Sequence, residues 1–185
     1  KMRFTQGKLT GTWIIQPKVF QDNRGYFFES FREENFRKNV GDIHFIQDNE
    51  SKSTYGVLRG LHYQLPPFAQ SKLVRVIEGS ILDVAVDIRQ SSDTYGLAES
   101  VELSAENKKQ FFIPKGFAHG FVVLSETAIV QYKVDAYYSK EHERGIKFDD
   151  PELGIDWQID SGEMIISEKD SDLPSFQDAD IFNEY

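Results

Sequence analysis

Lys72-Leu73-Val74-Arg75-Val76-Ile77-Glu78-Gly79-Ser80-Ile81-Leu82-Asp83-Val84-Ala85-Val86-Asp87-Ile88-Arg89 holds two apolar, β-branched runs parted by a glycine and a serine. Branched side chains suit a half-buried pleated surface, so both runs read as strands. Gly79-Ser80 is a two-residue junction of the kind that closes a β-hairpin, which predicts Lys72–Glu78 paired with Ile81–Arg89. In the second run Leu82, Val84, Val86 and Ile88 share one face, and Asp83, Ala85 and Asp87 share the other. The period of two is that of a strand with one oily and one polar side.

Similar runs recur outward from this stretch, at Thr12–Pro17, Ala98–Leu103, Phe111–Pro114 and Thr127–Asp135. Helical pattern is confined to Ser30–Lys38, with Phe31 and Phe36 inward, and to a turn or short helix after Pro151. Many short strands with Gly and Pro punctuation predict an all-β sandwich or barrel with a few short peripheral helices. No internal repeat or low-complexity segment interrupts it. With 185 residues, 39% hydrophobic, the chain suits one domain, 1–185, burying about two thirds of its unfolded surface. Most of the 15 Phe and 8 Tyr are needed to fill that interior.

Lys and Arg number 21 against 30 Asp and Glu, a net charge of −9 that argues against wholesale binding of nucleic acid or an anionic membrane. From Lys147 to Tyr185 there are 12 acidic and 2 basic residues, which leaves 19 basic against 18 acidic in 1–146. The body is therefore free to host an anionic ligand, and the acidic end reads as solvated surface except at Asp170, discussed below. The absence of cysteine removes disulfides, thiolate catalysis and thiolate-bound metals, and fits a reducing compartment. No apolar run approaches the ~20 residues that span a bilayer, and Lys1–Gly11 lacks the apolar stretch of a signal peptide. The expectation is a soluble, cytoplasmic protein.

Chemistry-bearing residues cluster in Gly56-Val57-Leu58-Arg59-Gly60-Leu61-His62-Tyr63-Gln64, where an arginine and a histidine interrupt an apolar strand. Polar groups so placed need partners or a purpose. In a regular strand His62 shares a face with Leu58 and Gln64, opposite Arg59. The two serve one site only if Gly60 bulges the strand or Arg59 reaches around an edge. Pro114-Lys115-Gly116-Phe117-Ala118-His119-Gly120 turns tightly into a strand carrying His119. Its Pro-x-Gly-x-x-His pattern resembles the second motif of the cupin superfamily, whose jelly roll agrees with the strand reading. Metal-binding cupins usually carry His-x-His and a nearby Glu in the first motif, whereas here His62-Tyr63-Gln64 lacks the second imidazole and no acidic residue lies between His62 and Glu78. A metal-free cupin is expected. His62 suits a base, Tyr132 a buried phenolic donor, and Lys72 an inward cation that meets an anion. Alone, each also reads as an ordinary structural residue.

Together these segments resemble the dTDP-4-dehydrorhamnose 3,5-epimerase family over roughly residues 17 to 170. The resemblance also rests on Asp22-Asn23-Arg24-Gly25-Tyr26-Phe27-Phe28-Glu29, Gln47-Asp48-Asn49-Glu50-Ser51, Asp83-Val84-Ala85-Val86-Asp87, Tyr132-Lys133 and Ser167-Glu168-Lys169-Asp170. It implies a cupin jelly roll that epimerises C3 and C5 of dTDP-4-keto-6-deoxyglucose with no cofactor and no metal. It further implies His62 as base, Asp170 orienting it, Tyr132 as proton donor and Lys72 facing the enolate oxygen. The implied substrate-binding set is Arg24, Glu29, Gln47, Asp48, Asn49, Arg59, His119, Glu143 and Lys169, joined by Lys72, with Phe27 and Tyr138 flanking the thymine. Among these, Arg24, Arg59 and Lys169 suit a diphosphate. The resemblance also implies a homodimer whose N-terminal stretch contributes to the neighbouring subunit's sheet and site. Three alternatives stay open on sequence: a C3-only or C5-only epimerase of a related sugar, a metal-dependent cupin oxygenase or isomerase, and a non-catalytic nucleotide-sugar-binding cupin.

Overall fold

A computed structural model describes residues 1–182. In chain order the strands are β1 (Arg3–Gln6), β2 (Trp13–Gln16), β3 (Phe20–Asp22), β4 (Gly25–Phe27), β5 (Gln47–Thr54), β6 (Val57–Gln64) and β7 (Lys72–Glu78), with α1 (Glu33–Asn39) between β4 and β5. There follow β8 (Ser80–Asp87), β9 (Ala98–Ser104), β10 (Gln110–Ile113), β11 (Phe117–Val123), β12 (Thr127–Val134), β13 (Glu143–Gly145), β14 (Ile165–Ile166) and α2 (Glu168–Ser171). One sheet has the order β1-β2-β10-β7-β12-β5, and the second β13-β6-β11-β8-β9, with β14 joining β6 in parallel. From β5 to β8 the chain changes sheet at every turn. This is the jelly roll that the strand pattern and the cupin motif predict.

The interior between the sheets is filled by Val74, Val76, Ile81, Leu103, Phe111, Phe121 and Val130, among others. A second apolar layer lies behind the β6-β11-β8 sheet, where Leu82, Val84 and Val86 pack against Phe148, Leu153 and Trp157. The acidic end is thus anchored by its own apolar residues, and Asp150 joins Asp170 as a buried carboxylate, accepting the Phe176 and Glu152 amides. Both faces of β8 are consequently buried. The polar face of that strand is not solvated, and Asp83 and Asp87 are wholly enclosed.

The expected hairpin of Lys72–Glu78 with Ile81–Arg89 does not form. β7 pairs with β10 and β12, whereas β8 pairs with β11 and β9 in the other sheet. Gly79, at φ +79°, turns the chain through a corner where any side chain would overlap the Thr127 carbonyl. Its own carbonyl accepts the Ala105 amide, and the Ser80 amide donates to Ser125 Oγ, so neither closes a turn back onto β7. A glycine between two strands announces the turn without saying which sheet receives the second strand. The helix begins three residues later than Ser30. Its first turn carries Glu33 and Glu34 and its last Arg37 and Lys38, complementing the helix dipole, and Phe36 packs on Ile15, Leu73 and Phe112 behind the first sheet.

Candidate active site

β6 carries the decisive irregularity. His62 lies opposite His119 on β11 and Arg59 opposite Phe121, so three steps on β6 face two on β11. The extra residue falls at Gly60-Leu61, and Gly60, at φ +130°, packs against Gly120 and the His119 carbonyl, where a Cβ has no room. With the pleat's alternation broken, Arg59 and His62 line the same cavity of about 530 Å³. Arg59 is steadied by donating from Nε to Ser53 Oγ at 3.0 Å.

His62 meets a carboxylate from the far end of the chain. Its Nε2 lies 2.6 Å from Asp170 Oδ1, while Asp170 Oδ2 accepts the Gly60 amide at 3.1 Å. The short α2 places that aspartate, because Ser167 caps it by accepting the Asp170 amide at 3.1 Å. Burial pushes the Asp170 carboxyl up, but the hydrogen bond and charge of His62, the Gly60 amide and Lys169 outweigh it and hold the group below the ordinary range. A neutral His62 therefore keeps its proton on Nε2 against the carboxylate and leaves Nδ1 free to accept one.

Lys72, on β7, is buried and enters the cavity from the opposite sheet. Desolvation brings its ammonium down to about 8, opposed by the charges of Asp83 and Glu143. It is thus mostly cationic at pH 7 but held at high cost without an anion. Its Nζ sits 5.7 Å from the centre of the Tyr132 ring. Tyr132, on β12, stands on the same wall, 6.5 Å from the His119 ring between centroids. Imidazole and phenol thus project from opposing sheets into one cavity, with the ammonium beside the phenol. Such a set can remove a proton on one side of a flat acceptor, return one on the other, and stabilise negative charge between them.

The structure brings Asn49, Arg59, His62, Lys72, His119, Tyr132, Lys169 and Asp170 to this cavity. Gln47 shares their side of β5 and donates to Asn49 Oδ1 at 2.9 Å. Glu143 borders the adjoining cleft with His62 and Lys169, and accepts from Tyr138 Oη at 2.7 Å and Lys169 Nζ at 3.1 Å. Asp48 is not gathered in. The alternation of β5 turns it outward, where it pairs with Lys133 at 3.0 Å. Arg24, Phe27 and Glu29 also stand apart, since Arg24 and Phe27 lie on an exposed β3–β4 hairpin, with Arg24 paired to Asp22 and Glu29 to Arg32. Sequence reading missed Asp83, whose carboxylate holds His119 from behind, and the cavity-lining residues Phe121, Ile165 and Ser167. Asp83 sat in a quoted motif, but an alternating strand does not reveal that its polar face turns inward. Among the described residues, no group of three or more His, Asp or Glu is placed to hold a metal ion, and no helix is long and apolar enough to cross a membrane.

Residues 6–178 match the family model described as dTDP-4-dehydrorhamnose 3,5-epimerase. A protein of that name from Shigella flexneri is 51% identical over 182 residues, 98% of this chain and 99% of the relative. The crystal structure of dTDP-4-dehydrorhamnose 3,5-epimerase from Elizabethkingia anophelis NUHP1 superposes with a TM-score of 0.93 at 54% identity, covering 96% of this chain and 97% of that one. A dTDP-6-deoxy-D-glucose-3,5-epimerase from Legionella pneumophila Philadelphia 1, solved in complex with dTDP-4-keto-L-rhamnose, gives 0.95 at 44% identity, covering 100% and 99%. Matched by the family model over residues 6–178 and by a relative 51% identical over 98% of its length, the chain belongs to the dTDP-4-dehydrorhamnose 3,5-epimerase family.

Proposed function

We propose that this chain converts dTDP-4-keto-6-deoxyglucose to dTDP-4-keto-L-rhamnose by inverting C3 and C5 in turn. The observation that carries the reading is the His62–Asp170 pair facing Tyr132 and Lys72 across one cavity. The C4 ketone makes the hydrogens on both neighbouring carbons acidic, because either carbanion is an enolate. His62 Nδ1 takes that proton, Asp170 stabilises the resulting imidazolium, Lys72 holds the C4 oxygen as charge develops, and Tyr132 protonates the opposite face. No oxidation state changes, so the reaction calls for neither cofactor nor metal.

Arg59 and Lys169 suit the diphosphate at the cavity mouth, as guanidinium and ammonium donors to phosphoryl oxygens. Asn49, Gln47, His119 and Glu143 are assigned to the sugar and nucleoside, and Tyr138 to the thymine face. The hairpin bearing Arg24 and Phe27 stands away from its own cavity, with Phe20, Tyr26 and Phe27 more than half exposed. It supports a homodimer in which each hairpin completes the neighbour's site, Phe27 stacking on thymine and Arg24 meeting phosphate. The same reading keeps the expected cytoplasmic location and a single domain.

Proton NMR of dTDP-4-keto-6-deoxyglucose in deuterated water tests it directly. Deuterium must enter at both C3 and C5 with inversion. Label at one carbon only assigns the chain to a monoepimerase, and no label assigns it to a binding protein. His62→Asn should lower turnover ~10²–10⁴-fold, the usual contribution of a general base.

A further inference from the structure

His62 is not alone in holding a carboxylate. His119, its cross-strand neighbour, places Nε2 2.6 Å from Asp83 Oδ1, and the two side chains are only 6% and 0% exposed. Asp83 projects from the middle of β8 into the interior, on the side that also carries Ile81 and Ala85, with Val101 and Phe121 opposite on the flanking strands. Its second oxygen, Oδ2, has no hydrogen-bond partner among the described residues. A carboxylate costs several kcal/mol to bury in such surroundings, and an apolar residue of similar size would serve the fold as well or better. Stability therefore does not account for it.

We propose that Asp83 is a positioning residue for the epimerisation, setting the tautomer of His119 through Oδ1 and the charge of Lys72 through the negative charge that a neutral His119 leaves on the carboxylate. The proposal rests on the reading of the site given above and adds a residue to it. Accepting Nε2–H fixes a neutral His119 with its remaining nitrogen as an acceptor, suited to a sugar hydroxyl and not to an oxyanion. Burial, aided by Lys72 and His62, keeps that imidazole neutral, against the pull of Asp83. The positive charge that meets the enolate is then left to Lys72 alone. The charges acting on Lys72 are Asp83 on β8 and Glu143 on β13, and the titratable groups that share its cavity are His62 on β6, His119 on β11 and Tyr132 on β12. Of the anions, Asp83 raises its proton affinity most.

The test compares kcat/KM against pH for the full chain and for Asp83→Asn, which keeps the shape and an acceptor but removes the charge. Wild type should lose activity as pH rises through about 8, where Lys72 gives up its proton. In Asp83→Asn that limb should move down by about one pH unit, since a unit corresponds to 1.36 kcal/mol of lost charge stabilisation. A profile merely scaled down, with its alkaline limb unmoved in a folded variant, overturns the proposal. A second measurement does not depend on Asp83→Asn: ¹⁵N NMR of the wild-type imidazoles at pH 7, with His119 assigned by its absence from His119→Gln. It should show a neutral His119 protonated on Nε2, and either a cation or an Nδ1–H tautomer refutes the assignment. If wild type fails to exchange deuterium into the sugar, the proposed function falls while the tautomer result still judges Asp83.

Discussion

Asp170→Asn removes one charge and almost no volume from a carboxylate that has two partners, His62 Nε2 and the Gly60 amide. Asparagine has one acceptor oxygen for the two groups that now donate to Asp170. If that oxygen stays on Gly60, the amide nitrogen faces the imidazole, forces its proton onto Nδ1, and removes the base. If it turns to His62, the tautomer survives but the imidazolium formed during proton transfer loses its counter-charge. At the effective dielectric near ~20 that suits partly buried pairs, unit charges about 4 Å apart interact by about 4 kcal/mol. The His62 side chain is 32% exposed, so water screens part of this, and about 3 kcal/mol is the expected loss. That amounts to ~10²-fold in kcat. The assay is deuterium uptake at C3 and C5 followed by NMR, with dTDP affinity measured calorimetrically as the control for a formed site. Turnover within threefold of wild type, with dTDP affinity unchanged, would refute the reasoning that Asp170 tunes the base.

Tyr132→Phe should uncouple the two halves of the reaction, with deuterium appearing at C3 and C5 while inversion lags, visible as labelled but unepimerised substrate. Inversion at the wild-type rate would remove Tyr132 from the role of donor. Arg24→Ala takes away an 86% exposed side chain, so stability should hold while KM rises about tenfold, the loss of one charge-assisted phosphate contact. An unchanged KM would separate the hairpin from substrate binding. Gly79→Ala places a methyl group against the Thr127 carbonyl at φ +79° and should destabilise the fold by about 1–3 kcal/mol with kcat intact. Calorimetry would register this as a Tm lower by about 2–4 °C for each kcal/mol.

Strand content was legible because branched and aromatic runs carry their own signal. Thr12–Pro17, Ala98–Leu103, Phe111–Pro114 and Thr127–Asp135 all recur as β2, β9, β10 and β12 within a residue or two. Sheet membership was not legible at Gly79, because a positive-φ glycine serves a hairpin and a corner equally well. The need for a bulge at Gly60 followed from two polar residues that a regular strand would send to opposite faces, and pairing with β11 supplies it. Asp170 emerged only through resemblance, since 108 residues separate it from His62 and no local pattern links them. Simple alternation along β5 already divides Gln47 and Asn49 from Asp48, a distinction that carrying over a motif as a block obscures. The inward position of Asp83 depends on the acidic end covering β8, which no short window contains.

The one-residue surplus in β6 bears on how such a catalytic wall arises. Point substitution changes what a strand displays at a position but never which side that position faces. A single-codon insertion does so for every residue beyond it, re-aiming half the strand at once unless a bulge absorbs the added residue. Paired in regular register, without the bulge that absorbs the extra residue, β6 would keep every functional group chemically intact while sending Arg59 and His62 to opposite surfaces. In this barrel the spacing of the chain is as much a part of the chemistry as the identity of its side chains.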